Sequence, residues 1–269
     1  MKIAIVTGAS SGMGREAAIQ LADRFAGLRE IWLVARRRER LEALAESLPV
    51  PCRIFSLDLT VPGERSALLT ALETEKPDVK ILINAAGFGK IGRVERQDPR
   101  EAEDMVALNC GALCAVTSAV LPYMSPNSRI LQFASAAAFL PQPGFAVYAA
   151  TKSFVLSYSR ALGAELRARK ITVTAVCPGP VRTEFFSIAE AGGKIPLYKR
   201  LTMANPKKVV RRAIFDSMAG RTLSVYGPLM KAFRLLCRLV PHGLLLRAMA
   251  ALSPDGFVRE PGPTTKEET

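Results

Sequence analysis

Short, largely apolar runs rich in β-branched residues recur along the chain at 3–6, 31–34, 52–57, 80–83, 129–133, 172–176 and 223–226. Continuous rather than alternating apolar character predicts strands buried on both faces. Between these runs, 12–26, 38–47, 65–75, 100–123 and 148–169 carry helical periodicity. Strand and helix therefore alternate. Parallel strands need crossover connections, and right-handed crossovers stack helices outside the sheet. The pattern predicts an α/β fold: a doubly wound parallel sheet of about seven strands with helices on both faces. Residues 1–260 are expected to form a single domain, with 229–252 a helical, basic and apolar C-terminal extension. The end, 261–269, is polar and rich in Pro, Gly and Glu, and is expected to be a flexible tail.

Directly after the first run comes Thr7-Gly8-Ala9-Ser10-Ser11-Gly12-Met13-Gly14, at the point where the first helix should open. Glycines there let the backbone turn tightly and let a pyrophosphate approach helix N–H groups, as in a Rossmann-like fold. Gly8, Ser10, Ser11, Gly12, Met13 and Gly14 are the candidate contacts. Past the second run the chain reads Val34-Ala35-Arg36-Arg37-Arg38, where an NAD-binding fold would show an acid for the ribose 2′-hydroxyl. Arg36 and Arg37 instead offer forked, permanent cations suited to a 2′-phosphate, which points to NADP(H). Arg15 stands third in line for the same phosphate. Further on, Tyr148 and Lys152 have i, i+4 spacing within a predicted helix, so both side chains share one face.

The T-G-x-x-x-G-x-G spacing resembles that of the short-chain dehydrogenase/reductase family, and the resemblance continues in order from residue 2 to 183. Asn84-Ala85-Ala86-Gly87 looks like the family's N-A-G element, set beside the cofactor and stabilising the central sheet. Asp58, followed by Leu59, matches the acid that contacts the adenine. Asn109, Ser135, Tyr148 and Lys152 fill the four catalytic positions. Pro178, Gly179, Val181 and Thr183 match the segment lying against the nicotinamide. The resemblance implies hydride transfer between NADP(H) and a carbonyl carbon. Tyr148 would be the general acid or base, Ser135 would hold the substrate oxygen, Lys152 would hold the ribose, and Asn109 a relay water. It also implies a homodimer or homotetramer. The competing reading is a noncatalytic NADP-binding regulatory protein of the same fold.

A free phenol titrates near 10, and lowering it to about 7 requires roughly 4 kcal/mol of preferential anion stabilisation. One cation about 4 Å away at an effective dielectric near 20 supplies about that much, so Lys152 is expected to depress the Tyr148 phenol. Phe139, Leu140, Phe145, Phe185, Phe186, Ile188 and Leu197 lie in segments that, by the same family resemblance, would line or cover the substrate pocket. Apolar residues there point to a lipophilic ketone or alcohol, hydroxysteroid-like or 3-oxoacyl-like.

Five cysteines without a C-x-x-C pair suggest neither a disulfide framework nor a zinc site, and no metal is expected. No export signal is read, and no run reaches about 18 uninterrupted apolar residues, so a cytoplasmic location, peripheral to a membrane at most, is expected. The net charge of +13 is unevenly placed: from Ala191 to Pro254 there are twelve Lys/Arg against one acid, Asp216. With no recognised nucleic-acid motif, no nucleic-acid partner is expected. In the extension, Lys231, Arg234 and Arg238 share one helical side and Leu, Phe, Met and Cys fill the rest. An anionic membrane surface, a lid over the pocket and a subunit interface all fit that pattern. His242, the single histidine, lies outside the catalytic set.

Overall fold

The computed structural model describes residues 1–185, 189 and 203–252. Seven strands, β1 (Lys2–Thr7), β2 (Glu30–Ala35), β3 (Cys52–Ser56), β4 (Asp78–Asn84), β5 (Arg129–Phe133), β6 (Thr172–Val176) and β7 (Leu223–Ser224), form one sheet. Every pairing is parallel, in the order β3-β2-β1-β4-β5-β6-β7. Helices α1 (Gly12–Arg24), α2 (Arg38–Glu46) and α7 (Pro206–Met218) cover one face; α3 (Pro62–Glu75), α5 (Leu113–Val120) and α6 (Ala146–Glu165) cover the other. The expected Rossmann-like, doubly wound architecture is therefore present. Strand order reverses between β1 and β4, and a ligand site is expected outside the C-terminal ends of those strands.

Alternation along β1 shows why its whole run is apolar. Ile3 and Ile5 pack beneath α3 and α5 with Leu68 and Val116, whereas Ala4 and Val6 pack beneath α1, α2 and α7 with Leu21, Leu41 and Ile214. All four are fully buried, which no half-exposed strand would need. The segment Pro99–Tyr123 is long and apolar enough by length and composition to cross a membrane. Its Met105, Leu113, Val116 and Val120 are buried against the body of the fold.

Three departures from the sequence pattern are informative. The seventh strand stops at Ser224 because Gly227, at φ +85°, and Pro228 turn the chain into α8 (Pro228–Leu239). Helix α7 was not anticipated, although Asn205 caps it by accepting a hydrogen bond from the Lys207 N–H at 2.8 Å and Pro206 opens it. The third is inside the expected helix 100–123. It comprises α4 (Pro99–Val106), a π-helical segment Ala107–Ala112, and α5.

Past β7, α8 leads to α9 (His242–Leu252). Met230 of α8 seats on Gly179, where an added Cβ would fall 2.5 Å from its sulfur, so Gly179 makes the room α8 needs. Phe186, Ile188, Leu197 and the tail 261–269 lie outside the described residues.

Candidate active site

The glycine turn is fixed by close backbone approach. Gly8 has φ +68°, and a Cβ there would meet the Ala86 nitrogen at 2.7 Å. One on Gly14 would meet the Gly8 carbonyl oxygen at 2.3 Å. Thr7 Oγ1 tightens the same contact by accepting from the Ala85 and Ala86 N–H groups at 3.2 and 3.3 Å. Asn84 turns its side chain inward. Its Nδ2 donates to Thr117 Oγ1 at 3.0 Å, and Gln132 Nε2 donates to the same oxygen at 3.0 Å. This buried network pins β1, β4, β5 and α5 in one register, so the Asn84 side chain serves the scaffold. Leu59 is likewise core, and Met13 packs partly against the α1 side of the sheet.

Ser11 takes the N-cap position of α1 but makes no side-chain capping bond, leaving the helix's first N–H groups available to a ligand. Ser10, Ser11, Gly12 and Arg15 line a cleft of about 500 Å³ whose other wall holds Arg40, Ala43, Leu44 and Glu184. Arg37 reaches the same cleft. Its guanidinium donates to Ser10 Oγ at 3.3 and 3.4 Å and makes a two-pronged pair with Glu184, both contacts 2.9 Å. Arg40 adds a third contact to Glu184 at 2.9 Å. These bonds and charges from Arg37 and Arg40 hold the Glu184 carboxyl down at about 2. Arg36 points elsewhere: its side chain is largely exposed and pairs with Asp58 at 3.5 Å. Of the two arginines read from the sequence, then, Arg37 is the one that reaches this cleft. Arg40, one helical turn on, joins it and was missed.

Tyr148 and Lys152 lie on the inner face of α6 and are both buried. Ser135 hydrogen-bonds the Tyr148 hydroxyl, and its Oγ also accepts from the Ala137 N–H at 3.1 Å, capping the turn Ala136–Phe139. Lys152 Nζ donates to the Phe133 carbonyl at 2.8 Å and lies 5.6 Å from the centroid of the Tyr148 ring. The expected depression of the phenol does not occur. Burial pushes Tyr148 up to about 12, with the Ser135 bond opposing it, and burial brings Lys152 down to about 8. In so dry a place desolvation of the phenolate dominates, opposed by the Ser135 hydrogen bond rather than by Lys152. Tyr148 is held as a neutral phenol.

Asn109 sits in the π-helical segment. Its Oδ1 accepts from the Phe88 N–H at 3.0 Å, and its Nδ2 donates to the Phe88 carbonyl at 2.9 Å and to Thr151 Oγ1 at 3.1 Å. The widened turn is what lets one carboxamide clamp the loop after β4 to α6. Gly87 fits beneath it: an added Cβ would fall 2.7 Å from Asn109 Oδ1 and 3.3 Å from Lys152 Nζ. Gly89, which sequence reasoning did not single out, lies flat on Tyr148, with 2.6 Å from an added Cβ to the ring.

Phe145 stacks on Tyr148 at 4.3 Å between ring centroids, and Phe185 tilts against it at 5.3 Å. Ile91, Met105, Ala137 and Ala189 close the apolar surroundings. Leu140 is buried, while Phe139 belongs with Cys177, Val225 and Met230 on the side toward α8. The Pro178 carbonyl accepts from the Ala136 N–H at 2.8 Å, tying the loop after β6 to the Ser135 turn. Val181 bridges to Ala204, and Thr183 stands over Gly12, 3.4 Å from where a Cβ would project. Among the site residues read from the sequence, Asn109, Ser135, Tyr148, Lys152 and Gly87 come together, while Arg37 and Thr183 each meet the glycine turn, at Ser10 and Gly12.

Comparison with known proteins agrees with this geometry. The description "short chain dehydrogenase" matches residues 2–192. Sulfoacetaldehyde reductase 2 of Chromohalobacter salexigens is 36% identical over 197 residues, covering 71% of this chain and 77% of that protein. The 3-oxoacyl-(acyl-carrier-protein) reductase FabG of Escherichia coli is 31% identical over 185 residues, covering 68% and 75%. A short-chain dehydrogenase from Sphingobium yanoikuyae, solved in complex with NADPH, superposes with a TM-score of 0.75 at 29% identity, covering 97% of this chain and 99% of that one.

Proposed function

The chain belongs to the short-chain dehydrogenase family and is an oxidoreductase; from that premise we propose that it uses NADP(H) to interconvert a secondary alcohol and a ketone on a lipophilic substrate. The observation that carries this reading is the cluster of partly buried Ser135 with buried Tyr148 and Lys152, roofed by Phe145 and Phe185.

The uncapped start of α1, the cleft beside it and the cations of Arg37, Arg40 and Arg15 suit the phosphates of a dinucleotide. Arg37 and Arg40, with no acid of β2 in their place, favour a 2′-phosphate, and the Sphingobium relative was solved with NADPH. When bound, the nicotinamide supplies or accepts the hydride.

The chain's own residues do the rest. Ser135 Oγ is already an acceptor from Ala137, so its hydroxyl proton is oriented outward, toward Tyr148 or a substrate oxygen. Tyr148, kept protonated by burial, donates to the oxygen on which negative charge develops during reduction. Lys152 is mostly charged below about pH 8, and its ammonium next to the phenol stabilises the phenolate left after transfer. Asn109 holds the loop that carries Gly87 and Phe88 against α6, setting the spacing of the cleft. Phe145 and Phe185 exclude water and give an apolar substrate its contact surface. The family's habit of pairing subunits through α5 and α6 makes a homodimer or homotetramer part of this reading.

The test is a panel of lipophilic ketones, with sulfoacetaldehyde as a polar comparator, assayed by NADPH and NADH absorbance. Turnover with NADPH and an aryl or long-chain ketone is expected. Activity confined to the polar aldehyde, or a preference for NADH, would overturn the substrate or the cofactor half of the proposal respectively.

A further inference from the structure

Helix α8 has three sides rather than two. Its inner side, Met230, Phe233 and Cys237, faces the body of the protein, with Met230 on Gly179. At roughly 100° per residue, Lys231, Arg234 and Arg238 occupy an adjoining arc of about 60°. The remaining arc of about 120° holds Leu229, Leu235, Leu236 and Leu239. These leucines are open to solvent, from 46% exposed at Leu236 to 70% at Leu239. In α9, Leu244 is 55% exposed, and Arg247 continues the basic character.

The charged residues of 217–252 are of one sign. No acid occurs between 217 and 252. Asp216, the one acid of the region, is buried and accepts from Arg212 at 2.9 Å, Arg221 at 2.7 Å and Ser224 at 2.8 Å, which ties α7 to β7. It therefore offers nothing to the outer surface.

We propose that α8 and α9 dock this protein on an anionic membrane surface, the leucines entering the acyl boundary and Lys231, Arg234 and Arg238 lying at the headgroups. An anionic bilayer satisfies both arcs together. A second copy meeting this face across a two-fold axis would bring basic stripe against basic stripe. A nucleic acid would meet the cations but leave four leucines in water. The proposal stands apart from the reaction assigned above. Its consequence for that reaction is placement: the inner side of α8 packs on the loop after β6, beside the Ser135 turn, so docking brings the apolar surroundings of Tyr148 close to the bilayer.

The experiment uses the full chain with vesicles of phosphatidylcholine alone or mixed with phosphatidylserine, followed by co-sedimentation at low and high salt. Binding to the anionic vesicles is expected, on the order of 100-fold weaker on neutral ones, from three headgroup cations. Leu235→Glu with Leu239→Glu should abolish binding to both vesicle types without changing the thermal melt, since both side chains already face solvent. Lys231→Glu with Arg238→Glu should lose the anionic preference by at least about 10-fold. Equal sedimentation of wild type and both variants, or no sedimentation of wild type, overturns the proposal. So does binding to a DNA duplex that the leucine variant leaves unchanged, or a wild-type dimer that the leucine variant dissociates while vesicles bind neither.

Discussion

Glu184 occupies the place in the cleft where the proposed cofactor's 2′-phosphate would carry its charge: it accepts twice from Arg37 and once from Arg40. A 2′-phosphate arriving at those guanidiniums must displace it; NADH need not. Replacing it by the isosteric amide, Glu184→Gln, removes the internal anion and leaves both arginines in place. The carboxylate is near the surface, where screened pairs of this kind contribute roughly 0.2–1 kcal/mol each. Two such pairs lost amount to about 1 kcal/mol, or about fivefold in Kd. Glu184→Gln should therefore tighten NADPH about fivefold and leave NADH within about twofold, measured by fluorescence titration at pH 7.5 and 0.15 M salt. Raising salt should narrow the difference between variant and wild type. An equal gain for both cofactors, or a loss for NADPH alone, would refute the idea that the carboxylate stands in the phosphate's place.

The lowered Lys152 pKa predicts a stability difference with a definite sign. The folded lysine binds fewer protons than the unfolded one between about pH 8 and its ordinary value near 10.5, so its contribution becomes more favourable as pH rises through that window. The gain is about 3 kcal/mol, and the Tyr148 phenol, raised to about 12, works against it only above about pH 10. Lys152→Met should thus be more stable than wild type at pH 7 in urea denaturation and lose that advantage by pH 10; a difference independent of pH would contradict it. For the reaction, ketone reduction should fall as pH rises through about 8 and the ammonium is lost; a profile flat to pH 10 would remove Lys152 from that role. Gly14→Ala should lower stability by about 2 kcal/mol or more, because its Cβ would overlap the Gly8 carbonyl, whereas Gly63→Ala in α3 meets nothing and should be neutral or mildly stabilising. Thermal melts of the pair separate steric overlap from a general effect of added methyl groups.

Strands β1 and β2 were legible because they are covered on both faces, and such burial writes itself as an apolar run, whereas β3, at the sheet edge, is half-buried and carries the partly exposed Arg53. Ile3 to Val6 needs no partner to be recognised. Tyr148 and Lys152 showed local i, i+4 spacing within a predicted helix, but it was the family resemblance that singled them out together with Ser135. What escaped was tertiary. The pairing of Glu184 with Arg37 and Arg40 joins residues 147 and 144 positions apart, and only the fold brings them together. The π-helical segment carries the contact of Asn109 with the Phe88 backbone, 21 residues earlier, and apolar periodicity through 100–123 carries no trace of it. Helix α7 could have been found from Asn205-Pro206 and the apolar pairs Val209-Val210 and Ala213-Ile214. The Tyr148 pKa went the other way from expectation because the sequence shows which cation is near and does not show how dry the place is.

The central claim is that Tyr148 moves the proton. Tyr148→Phe keeps the ring that stacks on Phe145 and removes only the hydroxyl. NADPH-dependent reduction of the best ketone by this variant should fall about 10²- to 10⁴-fold in kcat/KM, with NADPH affinity within about twofold of wild type. Turnover within tenfold of wild type, at unchanged cofactor affinity, would contradict the account.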